Sequence, residues 1–561
     1  MLVTIEEVME KYNISRATVN NWIKLGGVTI HLVNGKKMIP LETIQKYGKG
    51  KLQSRRNKQK NSKPRITENY LKEERYIEKV REILNLIENY HSDDRVRMVL
   101  LMVIYKLLLD KKIISSIPSD PGDFNLLPPR VSEILSIGFN GCMFNNRDLE
   151  LLEKILNLDL LSIEDDFLGL LYLSLRPEGQ KNKKGCYFTP QPVVEDMVED
   201  ILGYFPQIPK ILDPACGSGN FLLQCYKKLV GKYGKEYKKE ILENLWGWDI
   251  DKIAISLCKI NLFLLTGEYS ENLKVANFFQ NLDDGNLQGS FDLIIGNPPW
   301  GYKFTIEERR NLGFTKKNPE SAAIFTLKGM NFLKDNGYIS FCLPQALLNV
   351  KSHRYFRKRI LTEHTLIKVK DLGKAFDGVL SGSIALTVQK RKPREGDNFN
   401  LVSKWGSFNI KNEQVIKNPY NNINFIRTPL TLDILEKMRS IPSTTLKGST
   451  FALGIVTGNN KDFIIPKEQA KDIQKKNLQR VIKGNDILKF KIKSELDYIL
   501  FEEEKFQQIA PIQYYKEPEK LVYRFISNRL TFAYDDTKTL TLNSANILIP
   551  KSTFNIKYIL A

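Results

Sequence analysis

The sequence predicts an α/β protein built on a parallel β-sheet with helices on both faces. Between about residues 181 and 395, short apolar segments alternate with helical segments, as in a parallel sheet. Two of the apolar segments lead directly into a distinctive turn, one at 213–220 and the other at 297–300. Because ligands of open α/β sheets bind at the carboxyl ends of the strands, these two turns form the candidate site.

Composition indicates a folded, basic protein. The chain has 561 residues, enough for several domains, of which 42% are apolar and 26% charged. Its net charge of +20 favours a polyanionic partner such as nucleic acid, although a general preference for lysine would give the same charge. The six cysteines form no C-x-x-C pair, and neither a signal peptide nor a membrane-length apolar run is present. We therefore expect a reduced, cytoplasmic protein without a metal site.

Residues 1–48 are predicted to form a winged helix-turn-helix. Thr4, Glu6 and Glu7 start one helix, a second is expected from about residue 16 to 25, and Asn34-Gly35 predicts a hairpin. This order resembles the MerR and excisionase type. The second helix would present side chains that can reach bases or phosphates in a major groove: Arg16, Thr18, Asn20, Asn21 and Lys24. A helical hairpin that binds protein is the alternative.

A linker and a helical domain are expected next. Residues 49–65 carry eight basic side chains and no acidic one, so this segment cannot bury enough apolar surface to fold alone. Residues 66–180 predict mainly helices, including one at 95–109, and residues 151–175 are expected to be helical again. No pattern typical of a nuclease centre is found there, and we expect a structural helical domain.

Five strands are expected in the core. They lie at 210–212, 245–248, 273–276, 293–295 and 337–343, and a helix is expected at 321–333. The turn after the first strand lacks the Gly-Lys-Ser/Thr ending of phosphate-binding loops, and Asp213 would repel phosphate, so a cationic ligand is favoured. Asp249 ends the second strand, where an acid can accept both hydroxyls of a ribose, and Ile250 would pack on an adenine ring.

The turn at 297–300 offers the groups that a planar, amine-bearing ring requires. Two prolines fix the backbone and remove two amide donors. The Asn297 side chain and the Pro298 carbonyl are acceptors for amine hydrogens, and Trp300 offers a flat face for stacking. An ordinary proline-rich turn after a strand is the alternative.

Several segments, taken in order, resemble one family. They are Gly185-Cys186-Tyr187-Phe188-Thr189-Pro190, Asp213-Pro214-Ala215-Cys216-Gly217-Ser218-Gly219, Asp249, and Asn297-Pro298-Pro299-Trp300. Together they look like the gamma-class adenine-N6 DNA methyltransferases of restriction–modification systems. The resemblance extends from about residue 166 to 392. It implies a Rossmann-like core that depends on S-adenosylmethionine, with a helical N-terminal region and a mixed α/β C-terminal target-recognition domain.

The resemblance also implies residue roles. Asn297, Pro298, Pro299 and Trp300 would be catalytic, since the first two would accept the hydrogens of the target amine. Asn277 stands where the family usually has Asp, and its side-chain oxygen can still accept a hydrogen bond from the adenine of the cofactor. The S-adenosylmethionine site would comprise Tyr187, Thr189, Asp213, Ala215, Gly217, Gly219, Asp249, Ile250, Asn277 and Phe278.

Residues 396–561 are expected to form the target-recognition domain. The plausible DNA contacts are Thr457, Gly458, Lys483, Tyr515 and Arg524, although ordinary packing or turn roles are equally compatible with each. The chain ends in an apolar helical start without a cap, so we expect a truncated or split enzyme. Its partners would be double-stranded DNA and either a separate restriction endonuclease or a chain that completes this domain.

Two other functions remain open. The turn at 297–300 would also suit methylation of RNA or of a protein glutamine amide. A DNA-binding regulator with an inactive core is the third reading.

Overall fold

A computed structural model describes most of the chain. The described residues are 2–12, 19, 31–33, 36–43, 66–87, 93–160, 165–176, 189–280, 287–312, 319–376, 381–425, 429–441, 445–470 and 477–561. They form two compact units, one made of Met1–Asn57 with Lys437–Ala561 and the other of Lys58–Glu436. Within these ranges, no helix is both long and apolar enough to cross a membrane.

The N-terminal segment contains a small sheet and one described helix. Its elements are β1 (Leu2–Thr4), α1 (Ile5–Tyr12), β2 (His31–Val33) and β3 (Lys36–Pro40). Thr4 and Glu7 cap α1 reciprocally, in agreement with the predicted helix start. Strands β2 and β3 pair antiparallel, as expected for a hairpin, and β1 adds a third strand that was not predicted. The predicted second helix lies outside the described residues except for Val19, which is buried.

The region between residues 66 and 176 is helical, as predicted. Its helices are α2 (Glu74–Leu86), α3 (Asp93–Asp110), α4 (Pro129–Phe139), α5 (Asn146–Leu156) and α6 (Phe167–Leu175). The segment 151–175, expected to be helical, contains the end of α5 and the whole of α6, since the chain leaves α5 at Asn157 and α6 begins with Asp166 as its cap. These helices share one apolar core with Leu257 and Ile260 of a helix in the following domain. The helical region therefore packs directly on the domain that follows it.

The large domain is built on a nine-stranded sheet. Its strands are β4 (Ile211–Asp213), β5 (Leu245–Asp249), β6 (Leu273–Val275), β7 (Phe291–Gly296), β8 (Leu333–Pro344), β9 (Thr365–Gly373), β10 (Ser383–Gln389), β11 (Asn398–Ser403) and β12 (Gly406–Lys411). Its helices are α7 (Gln191–Leu202), α8 (Asn220–Tyr233), α9 (Lys238–Glu243), α10 (Lys252–Thr266), α11 (Ile306–Asn311), α12 (Ser321–Gly329), α13 (Arg354–Thr362) and α14 (Asn412–Ile416), and the chain then continues into α15 (Pro429–Ser440). The strand order is β12-β11-β9-β10-β8-β7-β4-β5-β6.

The five predicted strands form the parallel half of this sheet, β8-β7-β4-β5-β6. Strand β7 lies inside it, and Leu293, Ile294 and Ile295 are all fully buried, as expected for a strand covered on both faces. Strand β8 is longer than predicted and α12 ends earlier, at Gly329. Apolar runs thus located the strands well and their ends less well.

The other half of the sheet was not predicted. Strand β10 pairs antiparallel with both β8 and β9, and β11 pairs parallel with β9. The sheet therefore continues past residue 395, where the sequence placed a domain boundary. Phe399, Leu401 and Ile423 belong to the same apolar core as the parallel strands, so this domain extends to at least residue 423.

The C-terminal region contains two four-stranded sheets, ordered β13-β20-β17-β18 and β14-β16-β15-β19. Its strands are β13 (Thr450–Ala452), β14 (Ile464–Ile465), β15 (Leu478–Ile482), β16 (Asp497–Leu500), β17 (Lys520–Arg524), β18 (Phe532–Asp535), β19 (Leu540–Thr541) and β20 (Ala545–Ile549). Its helices are α16 (Asn460–Phe463), α17 (Lys467–Ala470), α18 (Ile512–Tyr515) and α19 (Ile556–Leu560). The expectation that the last helix has no cap was wrong, because the Asn555 side chain accepts hydrogen bonds from two amides of its first turn.

Candidate functional site

The two polar turns meet at one edge of the sheet. Leu212 of β4 lies opposite Trp246 of β5 on one side and Ile294 of β7 on the other. The three strands run in the same direction, so their carboxyl ends coincide. Asp213, Asp249 and the turn that begins at Asn297 therefore leave the sheet at neighbouring points.

The turn at 213–220, here called the glycine turn, is hydrogen-bonded to the end of β5. The Gly217 amide donates to Asp249 Oδ2 at 3.0 Å, and the Cys216 amide donates to the carbonyl of Trp248 at 2.9 Å. Gly219 has a φ of +97°, and a Cβ there would lie 2.6 Å from Cys258 Sγ, so glycine is required at this position. The turn presents its backbone in a fixed conformation at the start of α8.

Asp213 lies between the two turns. It is 1% exposed, and its Oδ1 accepts a hydrogen bond from the Ala215 amide at 3.1 Å. A Cβ on Gly296, whose φ is +155°, would lie 2.5 Å from Asp213 Oδ1, so only glycine allows this approach. Burial raises the pKa of Asp213 to about 8 and that of Asp249 to about 6. A cation bound here would favour the ionised forms of both carboxyls.

Residues elsewhere in the domain fix the turn at 297–300 through hydrogen bonds and ring packing. The Ser321 hydroxyl donates to the Pro299 carbonyl at 2.5 Å, so this contact does not use the carbonyl of Pro298. The Trp300 indole donates to the carbonyl of Cys342 at 3.3 Å, and the Trp300 and Phe376 rings meet edge to face at 5.0 Å. Trp300 is only 9% exposed, so most of its surface is already packed against protein. Asn297 is half-buried at the same edge.

Two buried polar atoms near the glycine turn fit a ligand. Thr189 is 5% exposed, and its carbonyl accepts a hydrogen bond from the Asn220 side chain at 3.1 Å. Neither Thr189 Oγ1 nor Asn220 Oδ1 has a hydrogen-bond partner among the described residues. Because unpaired buried polar atoms are costly, both are suited to a polar ligand at the start of α8.

The predicted cofactor residues differ in how accessible they are. Ile250 is 65% exposed beside Asp249, as packing against a ligand would require. Phe278 is not available in this way, because its ring lies in the core, stacked on Phe325 at 4.5 Å. The Asn277 side-chain oxygen already accepts a hydrogen bond from the Phe279 amide at 3.0 Å, which leaves it one further acceptor position. Tyr187 lies outside the described residues.

Sequence reasoning missed a buried network behind the glycine turn. Asp166, 1% exposed, accepts hydrogen bonds from the hydroxyls of Tyr70 and Ser218, the amide of Gly169 and the side chain of Asn261. Asn261 also donates to the Ser218 carbonyl at 3.0 Å. Asp166 of the helical region thus holds the Ser218 hydroxyl, and Asn261 of α10 holds the Ser218 carbonyl. The available signal was an acid directly before the apolar run 167–173.

A second network supports the end of β5. Asp251 caps α10 and accepts hydrogen bonds from the Tyr172 hydroxyl at 2.7 Å and from Arg176 at 3.1 Å. The Asp251 amide in turn donates to Asp249 Oδ1 at 2.9 Å. Both oxygens of Asp249 are therefore fixed, one by the glycine turn and one by this network.

The predicted DNA contacts of the C-terminal region are engaged within it. Lys483 forms an ion pair with Asp497, and Arg524 Nε donates to the Ile487 carbonyl at 3.0 Å. Tyr515 is fully buried, with its hydroxyl bonded to the carbonyl of Leu453, so it is a packing residue. The predicted contacts of the N-terminal helix fall outside the described residues: Arg16, Thr18, Asn20, Asn21 and Lys24.

Comparison with known proteins places these features in context. A family model described as N-6 DNA Methylase matches residues 165–420. Another, described as a TaqI-like C-terminal specificity domain, matches residues 479–561. The two matches cover the nine-stranded domain and most of the C-terminal sheets.

Two relatives and one solved structure are similar to large parts of this chain. Type II methyltransferase M.VspI of Vibrio sp. (strain 343) is 30% identical over 58% of this chain and 76% of its own length. The methylase subunit of the Type I restriction enzyme MpnII of Mycoplasma pneumoniae is 22% identical over 49% of this chain and 53% of its own. The Type IIL restriction-modification enzyme MmeI, solved in complex with DNA, covers 85% of this chain and 82% of its own with a TM-score of 0.58. At 13% identity this last likeness concerns the fold alone.

Proposed function

We propose a residue-level account of catalysis for this chain, which belongs to the N-6 DNA methylase family. It is an adenine DNA methyltransferase of the restriction–modification kind and depends on S-adenosylmethionine. One observation carries the account: Gly296, directly before Asn297, lies so close to Asp213 in the glycine turn that a Cβ on Gly296 would fall 2.5 Å from Asp213 Oδ1. A methyl donor held by the glycine turn and an amine held by Asn297 would therefore lie side by side.

The cofactor is proposed to lie along the edge from Thr189 to Asp249. Asp213 would pair with its ammonium group, and Asp249 would accept the ribose hydroxyls. Thr189 Oγ1 and Asn220 Oδ1 would gain the hydrogen-bond partners that they lack among the described residues. Ile250, exposed beside Asp249, would pack on the adenine ring. S-Adenosylmethionine supplies the reaction with a methyl group on a sulfonium.

The target adenine is proposed to leave the duplex, because its amine cannot reach a recessed donor from within the base stack. Asn297 and the Pro298 carbonyl would accept the two amine hydrogens. This localises the nitrogen lone pair, which is otherwise delocalised into the ring. Asn297 and Pro298 would hold the amine in line with the methyl group that bound S-adenosylmethionine would supply, and one amine proton would pass to solvent. Positioning and electrostatics supply the acceleration.

Trp300 would contribute to base binding only through the small part of its ring that remains exposed. It is mostly buried against Phe376 and anchored to Cys342, so little of its face is available for stacking. We therefore assign it chiefly to fixing the turn that carries Asn297.

The gamma-class order and the DNA-reading regions are also proposals. The cofactor turn precedes the Asn297 turn, and the specificity-domain match follows both, which is the gamma-class order. We retain a winged helix-turn-helix at residues 1–48, which α1 and the β2–β3 hairpin support. The basic segment 49–65 would be a linker, 66–180 a helical domain, 181 to about 425 the catalytic domain, and the remainder the target-recognition domain.

Replacing the proposed catalytic amide tests this account. Asn297→Ala should lower methyl transfer from labelled S-adenosylmethionine to duplex DNA by about 100- to 1,000-fold, the usual cost of one preorganised polar group. Cofactor affinity, measured by calorimetry, should stay within about twofold. Asn400→Ala on β11, where the side chain bonds only neighbouring strand residues, is the matched control. Near-normal turnover by Asn297→Ala would refute the account.

Offering RNA and mixed protein as acceptors in the same assay tests the other methyl-transfer readings. Label on duplex DNA alone is the expected result. Label on RNA or on glutamine would overturn the DNA assignment.

A further inference from the structure

A basic segment follows strand β8 beside the Asn297 turn. Two 3₁₀ turns, Gln345–Leu348 and Lys351–His353, lead into α13. The end of β8 is tied to the Asn297 turn through the Trp300–Cys342 hydrogen bond. Burial lowers the pKa of His353, and the negative charge of the Glu320 carboxylate partly opposes this effect. Glu320 in turn accepts a hydrogen bond from the Gly301 amide at 2.8 Å. The segment thus begins directly after a strand that is hydrogen-bonded to the turn carrying the proposed catalytic residues.

Arg357 of α13 is a buried charge with only neutral partners. Its side chain is 1% exposed and donates to the carbonyls of Leu347, Val350 and Tyr420, at 2.7 to 3.2 Å, and to the side chain of Asn422. Among the described residues no carboxylate pairs with it. Burial lowers its pKa to about 10, so it remains charged at neutral pH. A buried charge without a counter-ion is costly, and an anion nearby would offset part of that cost.

The surface above Arg357 carries more positive charge. Lys351, Arg354 and Lys358 are exposed, and the last two are four residues apart on one face of α13. Arg354 begins α13 at the positive end of the helix dipole, Lys351 precedes it, Lys358 follows one turn later, and the first turn contains no acid. The usual preference there is for acidic side chains, so this arrangement lowers helix stability. It is suited to an anion instead.

We propose that these three exposed side chains, termed the α13 surface, bind the phosphodiester backbone of DNA beside the target adenine. This rests on the proposed function, because the surface would act on the same substrate as Asn297. Lys351, Arg354 and Lys358 would contact phosphates directly, while Arg357 fixes the loop beneath them and adds its field. Tyr420, whose ring lies 5.0 Å from Lys351 Nζ, and the exposed ring of Tyr355 flank the charges. Aromatic rings beside basic groups suit nucleic acid better than a small anion.

Salt dependence is the direct test, because each phosphate contact contributes about −0.9 to the slope of log affinity against log salt concentration. The variant Lys351→Gln, Arg354→Gln, Lys358→Gln replaces exposed side chains only. Its slope, from anisotropy with a labelled 30-base-pair duplex, should be smaller in magnitude by about 2 to 3. KM for DNA should rise about tenfold at physiological salt. KM for S-adenosylmethionine and turnover at saturating DNA should not change.

A matched control removes the same charge from the opposite edge of the sheet. Lys235, Lys238 and Lys239 are exposed in and before α9, which precedes β5 at its amino end. Their triple glutamine variant should keep the wild-type slope. Equal slopes for the two triple variants would overturn the proposal. The α13 surface would then bind a protein or have no partner, and neither case agrees with a DNA contact.

The anisotropy measurement needs no methyl transfer. A wild-type protein that binds DNA through the α13 surface but does not methylate it would contradict the proposed function and leave this inference standing.

Discussion

Polar side chains at the carboxyl ends of the parallel strands, here called the catalytic edge, differ in their partners from those of the C-terminal region. At the edge, the carboxyls of Asp213, Asp249 and Asp166 are recessed and held by backbone amides and neighbouring side chains. In the C-terminal region, Lys483 and Arg524 are partly exposed and bound to partners of their own domain. The carboxyls of the catalytic edge are therefore preorganised without a ligand. Lys483 and Arg524, by contrast, must exchange a partner within their own domain to contact DNA.

This difference teaches that the shared carboxyl ends of neighbouring parallel strands are a better guide to function than positive charge, because Lys483 and Arg524 also lie at strand ends but in mainly antiparallel sheets. A residue at the carboxyl end of a parallel strand has its place fixed by the sheet. The side chains of Lys483 and Arg524 are instead positioned by the acid or carbonyl that packing brings beside each of them. The predictions below test the two regions against each other.

The largest effect on cofactor binding is expected at the end of β5. Asp249→Ala removes the acceptor of the Gly217 amide and the proposed ribose contact, so KM for S-adenosylmethionine should rise about 10- to 100-fold. DNA affinity should not change. Asp292→Asn, at the amino end of β7, is the control and should leave both constants as in wild type. An unchanged cofactor KM in Asp249→Ala would remove this residue from the site.

Loss of the buried network should affect both stability and cofactor binding. Asp166→Ala leaves Tyr70, Ser218 and Asn261 without their shared acceptor, which should lower the free energy of unfolding by about 3 kcal/mol. KM for S-adenosylmethionine should rise more than KM for DNA, because Ser218 lies in the glycine turn. The adjacent Asp165→Ala, which breaks a partly exposed pair with Lys227, should cost about 1 kcal/mol or less. Equal effects of the two variants on unfolding would contradict this ranking.

Cofactor binding should depend on pH through Asp213. Its pKa is raised to about 8, so it is largely protonated at pH 6.5 and must lose the proton to pair with an ammonium group. The dissociation constant of S-adenosylmethionine should fall about tenfold between pH 6.5 and 8 and then level off, as the α-amino group loses its charge. Calorimetry across this range measures it, and Asp213→Asn should abolish the rise in affinity.

Stability of the free protein should move in the opposite direction. A carboxyl with a raised pKa binds its proton more tightly in the folded state, so its contribution to stability is lost as pH rises from about 4 towards 8. The melting temperature without cofactor should fall over this range, and Asp213→Asn should flatten the fall. A profile identical to wild type would show that Asp213 is not the group responsible.

The smallest effect is expected in the C-terminal region. Because Asp497 already neutralises Lys483, Lys483→Gln should change the salt slope of DNA binding by less than about 0.3. A decrease of about 0.9 would instead show that the ion pair opens on DNA, and would restore Lys483 as a phosphate contact. The α13 variant provides the positive reference in the same assay.

The sequence by itself determined the parallel half of the sheet and the identity of both turns. Runs such as Leu293–Ile295 were apolar enough to require a strand covered on both faces. A glycine turn directly after a short strand is typical of a ligand site at the carboxyl end of a parallel sheet. The family resemblance rested on the same residues. These signals are local, because backbone sterics and burial act over a few neighbouring positions.

Only the tertiary structure decided the rest. The antiparallel strands β9 to β12, the core position of Phe278 and the partners of Lys483 depend on contacts between residues far apart in the chain. Asp166 holds Ser218 from 52 positions away, and Arg357 holds Tyr420 from 63. No local pattern encodes such pairs, because a buried polar group selects its partner only after packing has brought both to one place.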